Sequence, residues 1–364
     1  MVRWLRDLVR FGEGSWGVLT SGGVMANIMG MTLARDVHLT RLRGGSDDAG
    51  PPRGRALESV RVYASDQAHF SIARALDVLG FPQDTLRILP SDERFRLHGE
   101  PVARAIAQDR AAGLTPLAIA AVAGSTNTGS VDLTGELAAV AEREDLWLHV
   151  DAAYGGAARL SPRDAARVPD LERADSVTVD PHKWFFQAYD IGALIVKRRE
   201  DLRRTFHREP EYYRHTRPQD EPLHWYQYSL EGTRRFRALK LWLSWKHIGT
   251  EGFARLIEQN DDLAAYLTRR CRELGELEVL PAQPELSVVC FRHLPRGIEE
   301  GDLDAYQDRL QRALEVSGEG WVSTTKLRGH TYLRAGVVNY LSTDEDVDRL
   351  LDALRRLSAE ARRS

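Results

Sequence analysis

The chain is poor in several things, and each shortage argues against something. Two cysteines, Cys271 and Cys290, among 364 residues are too few for a disulfide framework or a structural zinc site. Both lie in apolar stretches and read as buried thiols. Excess charge is lacking too: 50 Lys and Arg against 53 Asp and Glu leave a net charge of −3. That balance argues against the basic footprint of a nucleic-acid binder or the polybasic patch of a membrane-surface protein. No apolar run approaches the roughly 18 residues of a membrane span. Residues 1–10, Arg-rich with Trp4 and Leu5, read as a helix and not as a secretory leader. There is no internal repeat. A hydrophobic fraction of 43% is ample for one large α/β domain and a smaller one. The expected compartment is the cytoplasm, with no nucleic-acid or membrane partner.

Strand-like runs at 59–65, 85–89, 116–123, 146–150, 176–179 and 191–197 alternate with helix-like segments at 24–39, 71–79, 99–112 and 133–144. This alternation predicts a largely parallel sheet with helices on both faces. The runs 117–122 and 193–196 are apolar without alternation, as in strands buried on both sides. Residues 43–55, polar and rich in Gly and Pro, read as a surface loop. Over 207–229 the pattern breaks into a charged, Pro-containing segment with Tyr212, Tyr213, Trp225, Tyr226 and Tyr228. A segment this long reads as a functional lid or as an unstructured connection. Helices expected over 233–247 and 252–274 lead into an α+β unit. Its strands fall at 277–280, 286–291, 321–326 and 331–338, and its helices at 303–316 and 343–361. The expected division is a large domain over 1–250 and a small one over 251–364.

The chemistry concentrates at strand ends. Asp180-Pro181-His182-Lys183-Trp184 follows the run 176–179, and Asp151 closes Leu148-His149-Val150-Asp151. A lysine can form a Schiff base with an aldehyde cofactor, and a carboxylate can keep a pyridine nitrogen protonated so that the ring accepts electrons. Pyridoxal phosphate needs both. Trp184, Phe185 and Phe186 predict an apolar setting that disfavours the ammonium form of Lys183. The small Ala152 and Ala153 leave room for a flat ring. Thr20-Ser21-Gly22-Gly23 precedes the helix that begins near Val24. Alone it fits an N-cap as well as a phosphate site at a helix N-terminus. The turn Gly124-Ser125-Thr126-Asn127-Thr128-Gly129 supplies hydroxyls at another strand end. His69, in Ser65-Asp66-Gln67-Ala68-His69, is a loop histidine or an imidazole stacked on a cofactor ring.

Together these motifs resemble the group II pyridoxal-phosphate-dependent amino-acid decarboxylases, the family of aromatic-L-amino-acid and glutamate decarboxylases. The resemblance runs from Gly17 to the C-terminal helix. It implies the type I aminotransferase-like fold, with a mostly parallel seven-stranded sheet flanked by helices and a smaller C-terminal α+β domain. It also implies a homodimer with active sites at the interface. By resemblance, Lys183 is the Schiff-base lysine, Asp151 the partner of the pyridine nitrogen and His69 the ring-stacking histidine. Gly22, Gly23 and Val24, with His182, would hold the phosphate, and Thr126 and Ala153 would contact the ring. Tyr212 falls where the family's mobile loop carries a proton-donating tyrosine, with Tyr213 as the alternative.

The reaction implied is decarboxylation of an L-amino acid to its amine and CO2, with Tyr212 or His69 returning a proton to Cα. An aromatic substrate is the first expectation. Acidic and diamino acids remain open, as does decarboxylation coupled to oxidative deamination, which gives an aldehyde. The phosphate motif lies unusually near Met1, where relatives carry a further helical segment upstream. A shortened relative with a structural or partner role is therefore the competing expectation, as is an apolar patch that such a segment or another chain would cover.

Overall fold

The non-alternating apolar runs become strands covered on both faces. The computed structural model describes residues 1–45, 50–208 and 224–361. The chain begins with α1 (Val2–Leu8), β1 (Trp16–Thr20) and α2 (Gly23–Leu33), which continues through a π-helical stretch, Ala34–Leu39, into α3 (Thr40–Leu42). Next come β2 (Val60–Ser65), α4 (Ser71–Val78), β3 (Leu86–Leu89), α5 (Gly99–Ala111), β4 (Thr115–Val122) and α6 (Thr134–Glu144). Strands β5 (Trp147–Asp151), β6 (Ser176–Val179) and β7 (Gly192–Val196) and helix α7 (Arg199–Phe206) complete this part. The seven strands form one sheet in the order β1-β7-β6-β5-β4-β2-β3.

Strands β2 to β6 pair in parallel, whereas β7 runs antiparallel to both β6 and β1. The sheet is thus largely parallel, as expected, with one reversed strand. A parallel return needs a crossover, usually a helix. The chain between β6 and β7 contains none, so it doubles back. Strand β1 is a further difference from the sequence reading: its five residues are a short run beside a conspicuous glycine turn.

Strand pleating sends alternate residues to opposite faces. Tyr63, Ile119, Leu148, Val150 and Val177 pack with Leu5 of α1, Ile106 of α5 and Leu137 of α6. Val62, Ala118, Ala120 and Trp147 pack on the other face with Met29 of α2, Leu76 of α4 and Leu202 of α7. The period also places His149 and Asp151 on the α2 side, together with Ser176 and Thr178 of β6. There α2 passes very close to the sheet. A Cβ at Gly30 would stand 2.6 Å from His149 Cε1, so glycine lets the helix seat on the imidazole.

The two helices expected over 233–247 and 252–274 are joined in α8 (Arg237–Leu274), which kinks at Gly249 with φ 72° and ψ 167°. Beyond it lie β8 (Leu277–Val279), β9 (Val288–His293), α9 (Leu303–Ser317), β10 (Ser323–Leu327), β11 (His330–Gly336) and α10 (Asp344–Ala361). Their four strands form an antiparallel sheet in the order β10-β11-β9-β8. A separate core joins Leu263 and Leu267 of α8 to Phe291, Leu310, Leu333 and Leu354. Among the described residues no helix is long and apolar enough to cross a membrane.

Candidate active site

The carboxyl ends of β5 and β6 and the start of α2 enclose a cleft of about 280 Å³. Its walls include Gly22, Gly23, Val24, His69, Asp151, Ala153, His182 and Lys183. Eight residues singled out in the sequence therefore meet at one place, at the strand ends where open α/β sheets bind ligands. Thr126 is not brought there. It is exposed, and its carbonyl accepts from Arg334 Nε at 2.6 Å. The turn's other hydroxyls bind one another, Ser125 Oγ lying 2.9 Å from both Thr128 Oγ1 and Ser130 Oγ. Tyr212 and Tyr213 lie outside the described residues.

Asp151 is 7% exposed. One carboxylate oxygen accepts from Asn27 Nδ2 at 2.7 Å and the other from the Ala153 amide at 3.1 Å. His69 Nδ1 lies 2.8 Å from Ser71 Oγ. Its pKa is lowered, chiefly because burial disfavours the imidazolium, although the Asp151 carboxylate pulls the other way.

Lys183 corrects one expectation. Trp184 and Phe185 are fully buried, but they do not enclose the amine. The lysine side chain is 36% exposed, and its Nζ stands 3.4 Å from Asp180 Oδ2. The aromatic residues act instead as anchors. Trp184 stacks on Tyr154 at 4.9 Å, and its Nε1 donates to Asn260 Oδ1 of α8 at 3.0 Å. They fix the backbone that carries the lysine.

Sequence reasoning gave no role to Asp180, although it stands in the lysine motif. Its Oδ2 accepts from the Gly23 amide at 2.9 Å and lies 3.4 Å from His182 Nε2. Its Oδ1 is buried without a hydrogen-bond partner. Asn27 and Ser71 were missed as well. Asn27 lies about one helical turn beyond Gly23, on the side of α2 that faces the sheet. A count of 3.6 residues per turn was the available signal.

An amine, a buried carboxylate and the N-terminal amides of a helix suit an aldehyde-bearing, phosphorylated pyridine. With Gly23 already bound to Asp180, the neighbouring amides of Val24 and Met25 are the ones left without an intrahelical acceptor, as at any helix start. The donor set fits the cofactor. Fold and cleft together define a pyridoxal-phosphate enzyme of the type I aminotransferase-like class.

Comparison with known proteins gives the family. The family model of the pyridoxal-dependent decarboxylase conserved domain matches residues 1–294, and the chain belongs to that family. It is 34% identical over 362 residues to the aromatic-L-amino-acid decarboxylase of Bacillus atrophaeus, covering 99% of this chain and 72% of that protein. It is 29% identical over 372 residues to an L-2,4-diaminobutyrate decarboxylase of Acinetobacter baumannii, covering 100% and 72%. The crystal structure of Oryza sativa TDC with PLP and tryptamine superposes with a TM-score of 0.89 at 27% identity, covering 99% of this chain and 74% of that one. The protein is a carboxy-lyase whose cofactor is pyridoxal 5′-phosphate.

Proposed function

We propose that the protein decarboxylates an aromatic L-amino acid to its amine. The meeting of Lys183, Asp151, His69 and the α2 N-terminus in one cleft carries the reading of the site. The 34% identity to an aromatic-L-amino-acid decarboxylase supports the substrate class over diaminobutyrate, named for the relative at 29%.

Bound pyridoxal phosphate supplies the electron sink for the bond pair that departing CO2 leaves behind. Lys183, at the cleft wall, would be the residue that anchors the cofactor through its amine. Asp151, held by Asn27 and the Ala153 amide, would keep the ring nitrogen protonated. His69 would pack against the ring, and Ala153 would leave space beside it. The amides of Val24 and Met25, with His182 nearby, would hold the phosphate, while Gly22 and Gly23 shape the turn that lets it approach. Tyr212 returns a proton to Cα, a role that rests on family resemblance alone. The cytoplasmic location and the homodimer belong to the same proposal. The dimer draws support from an exposed apolar row at the start of α8, made by Phe236 just before it and Leu239, Trp242 and Leu243 on it.

The test combines protein, pyridoxal phosphate and a panel of aromatic, acidic and diamino acids, with CO2, amine, aldehyde and ammonia measured separately. Aromatic amine with stoichiometric CO2 is expected. Aldehyde with ammonia, or preference for an acidic or diamino acid, would replace this reading. Borohydride should fix the cofactor to Lys183, and Lys183→Ala should abolish that labelling. Turnover should fall roughly 10²–10⁴-fold, the scale for loss of a positioned acid–base group. Labelling at another lysine would reject the assignment.

A further inference from the structure

Under the cleft runs a chain of buried hydrogen bonds whose polarity is fixed at each link. Trp147 Nε1–H, a donor only, reaches Ser176 Oγ at 2.9 Å. Ser176 lies 2.8 Å from His149 Nδ1. The other ring nitrogen, Nε2, is 3.0 Å from Asn27 Oδ1. An amide oxygen only accepts, so Nε2 carries the proton. Burial pushes His149 down to about 4, leaving the ring neutral near pH 7, so Nδ1 accepts from Ser176. Thr178 Oγ1 donates to the same Asn27 oxygen at 2.6 Å. Asn27 then spends both amide hydrogens, on Asp151 Oδ2 at 2.7 Å and on Ser71 Oγ at 2.8 Å. The reverse amide orientation would set oxygen against a carboxylate.

The last link decides the state of His69. Its Nδ1 receives the Ser71 backbone N–H at 3.3 Å and lies 2.8 Å from the Ser71 hydroxyl. A backbone N–H cannot accept, so Nδ1 presents a lone pair. The hydroxyl, already accepting from Asn27, is free to donate to it. In the neutral ring the proton therefore sits on Nε2. Asp151, Asp180, Lys183 and Arg74 are the charged groups that act on this ring.

We propose that Asn27 and Ser71 are positioning residues of this active site: Asn27 orients the Asp151 carboxylate, and Ser71 locks His69 as the Nε2–H tautomer. The proposal rests on the reading of Asp151 and His69 as partners of the cofactor ring. It changes what His69 does. A neutral imidazole protonated at Nε2 offers a hydrogen-bond donor on its free nitrogen. As a proton source it would have to become imidazolate. Proton return to Cα then falls to another group, and His69 acts through hydrogen bonding and packing.

The test is nitrogen NMR of histidine-labelled protein near pH 7, with and without added pyridoxal phosphate, His69 being assigned from the spectrum of His69→Gln. The expected wild-type spectrum shows a lone-pair shift at Nδ1 and a protonated shift at Nε2. Ser71→Ala should move the tautomer ratio roughly tenfold towards Nδ1–H, the scale of one lost hydrogen bond. Ser71→Thr, which keeps the hydroxyl, should restore it. Asn27→Ala should shift both the His69 tautomer and the Asp151 carboxylate carbon signal. If that variant fails to fold, the serine pair still decides the matter. An Nδ1–H ring in the wild type, or an unchanged ratio in Ser71→Ala, overturns the proposal. Because the readout needs no turnover, it stands apart from the substrate assay. Expected tautomers without amine production would remove the proposed function and leave the network.

Discussion

Residue by residue, the site depends on how one buried carboxylate is held. Asp151 has both oxygens bound by donors and faces the cleft. Asp151→Asn keeps the shape and removes the charge that would hold a proton on the ring nitrogen. An ion pair in contact shifts a pKa by roughly 1–3 units at about 1.4 kcal/mol per unit. The expected result is a loss of roughly 10- to 1,000-fold in kcat, with retained borohydride trapping at Lys183. Unchanged turnover would remove Asp151 from the mechanism. The lysine and this acid were legible in the sequence because strand ends and motif spacing mark them. The environment of Lys183 was not. The residues after it are aromatic, but chain neighbours need not be spatial neighbours, and Trp184 and Phe185 turn into the core. Thr126 lies off the cleft wall, and its turn shows why that was hard to read: a hydroxyl in a strand-end turn shows nothing of which way the turn faces.

Among elements, α8 shows what periodicity reveals and what it hides. Its two amphipathic halves were readable as helices, and Gly249 between them was the break. The structure turns the chain between them at Gly249, in a backbone conformation almost confined to glycine. A Cβ there would meet nothing within 4 Å, so the expense of a side chain is purely conformational. Gly249→Ala should destabilise the fold by roughly 1–3 kcal/mol, measured by chemical denaturation. A neutral result would show that the kink relaxes without penalty. We propose that this joint marks the division between residues 1–250 and 251–364. In the sheet, β2 to β6 run parallel, as the alternation of strands and helices leads one to expect. The reversal of β7 was hidden because a strand buried on both faces reads the same in either direction.

For the whole molecule, burial writes itself into pH dependence. Asp261 of α8 and Asp164, both buried, share Arg167, whose Nη1 lies 3.1 Å from Asp261 Oδ2 and whose Nη2 lies 3.3 Å from Asp164 Oδ1. Burial first, and Asp164 next, push Asp261 up to about 8. The folded chain therefore keeps a proton that the unfolded chain releases near pH 4. This contribution is full below about pH 4 and is lost as pH rises to about 8. Asp132, raised by burial to about 7, adds the same slope, and His149, lowered to about 4, opposes it between pH 4 and 6.5. Asp261→Asn should remove the first of these slopes. Its unfolding free energy relative to wild type should climb from pH 4 to 8, by on the order of 2–5 kcal/mol, measured by chemical denaturation at each pH. A constant difference across that range would reject the proton retained by Asp261.

The same scale governs assembly. Phe236 is 74% exposed, beside a hollow of about 930 Å³ that Trp16 and Trp225 also line. Contiguous apolar surface of this kind marks an interface. Light scattering should give a dimer, and Phe236→Asp with Trp242→Glu should yield monomer. A wild-type monomer would discard the homodimer.

Strand β1 pairs with β7 along all five of its residues, from Trp16 opposite Val196 to Thr20 opposite Gly192. The first twenty residues thus seal the flank of the strand that receives the chain after Lys183. Deuterium uptake at the amides of 16–20 and 192–196 should rise together, as one cooperative unit of local opening. Clipping the chain ahead of Gly22 would bare β7 to other strands and would loosen the turn that carries the amine, far from the point of cleavage in sequence.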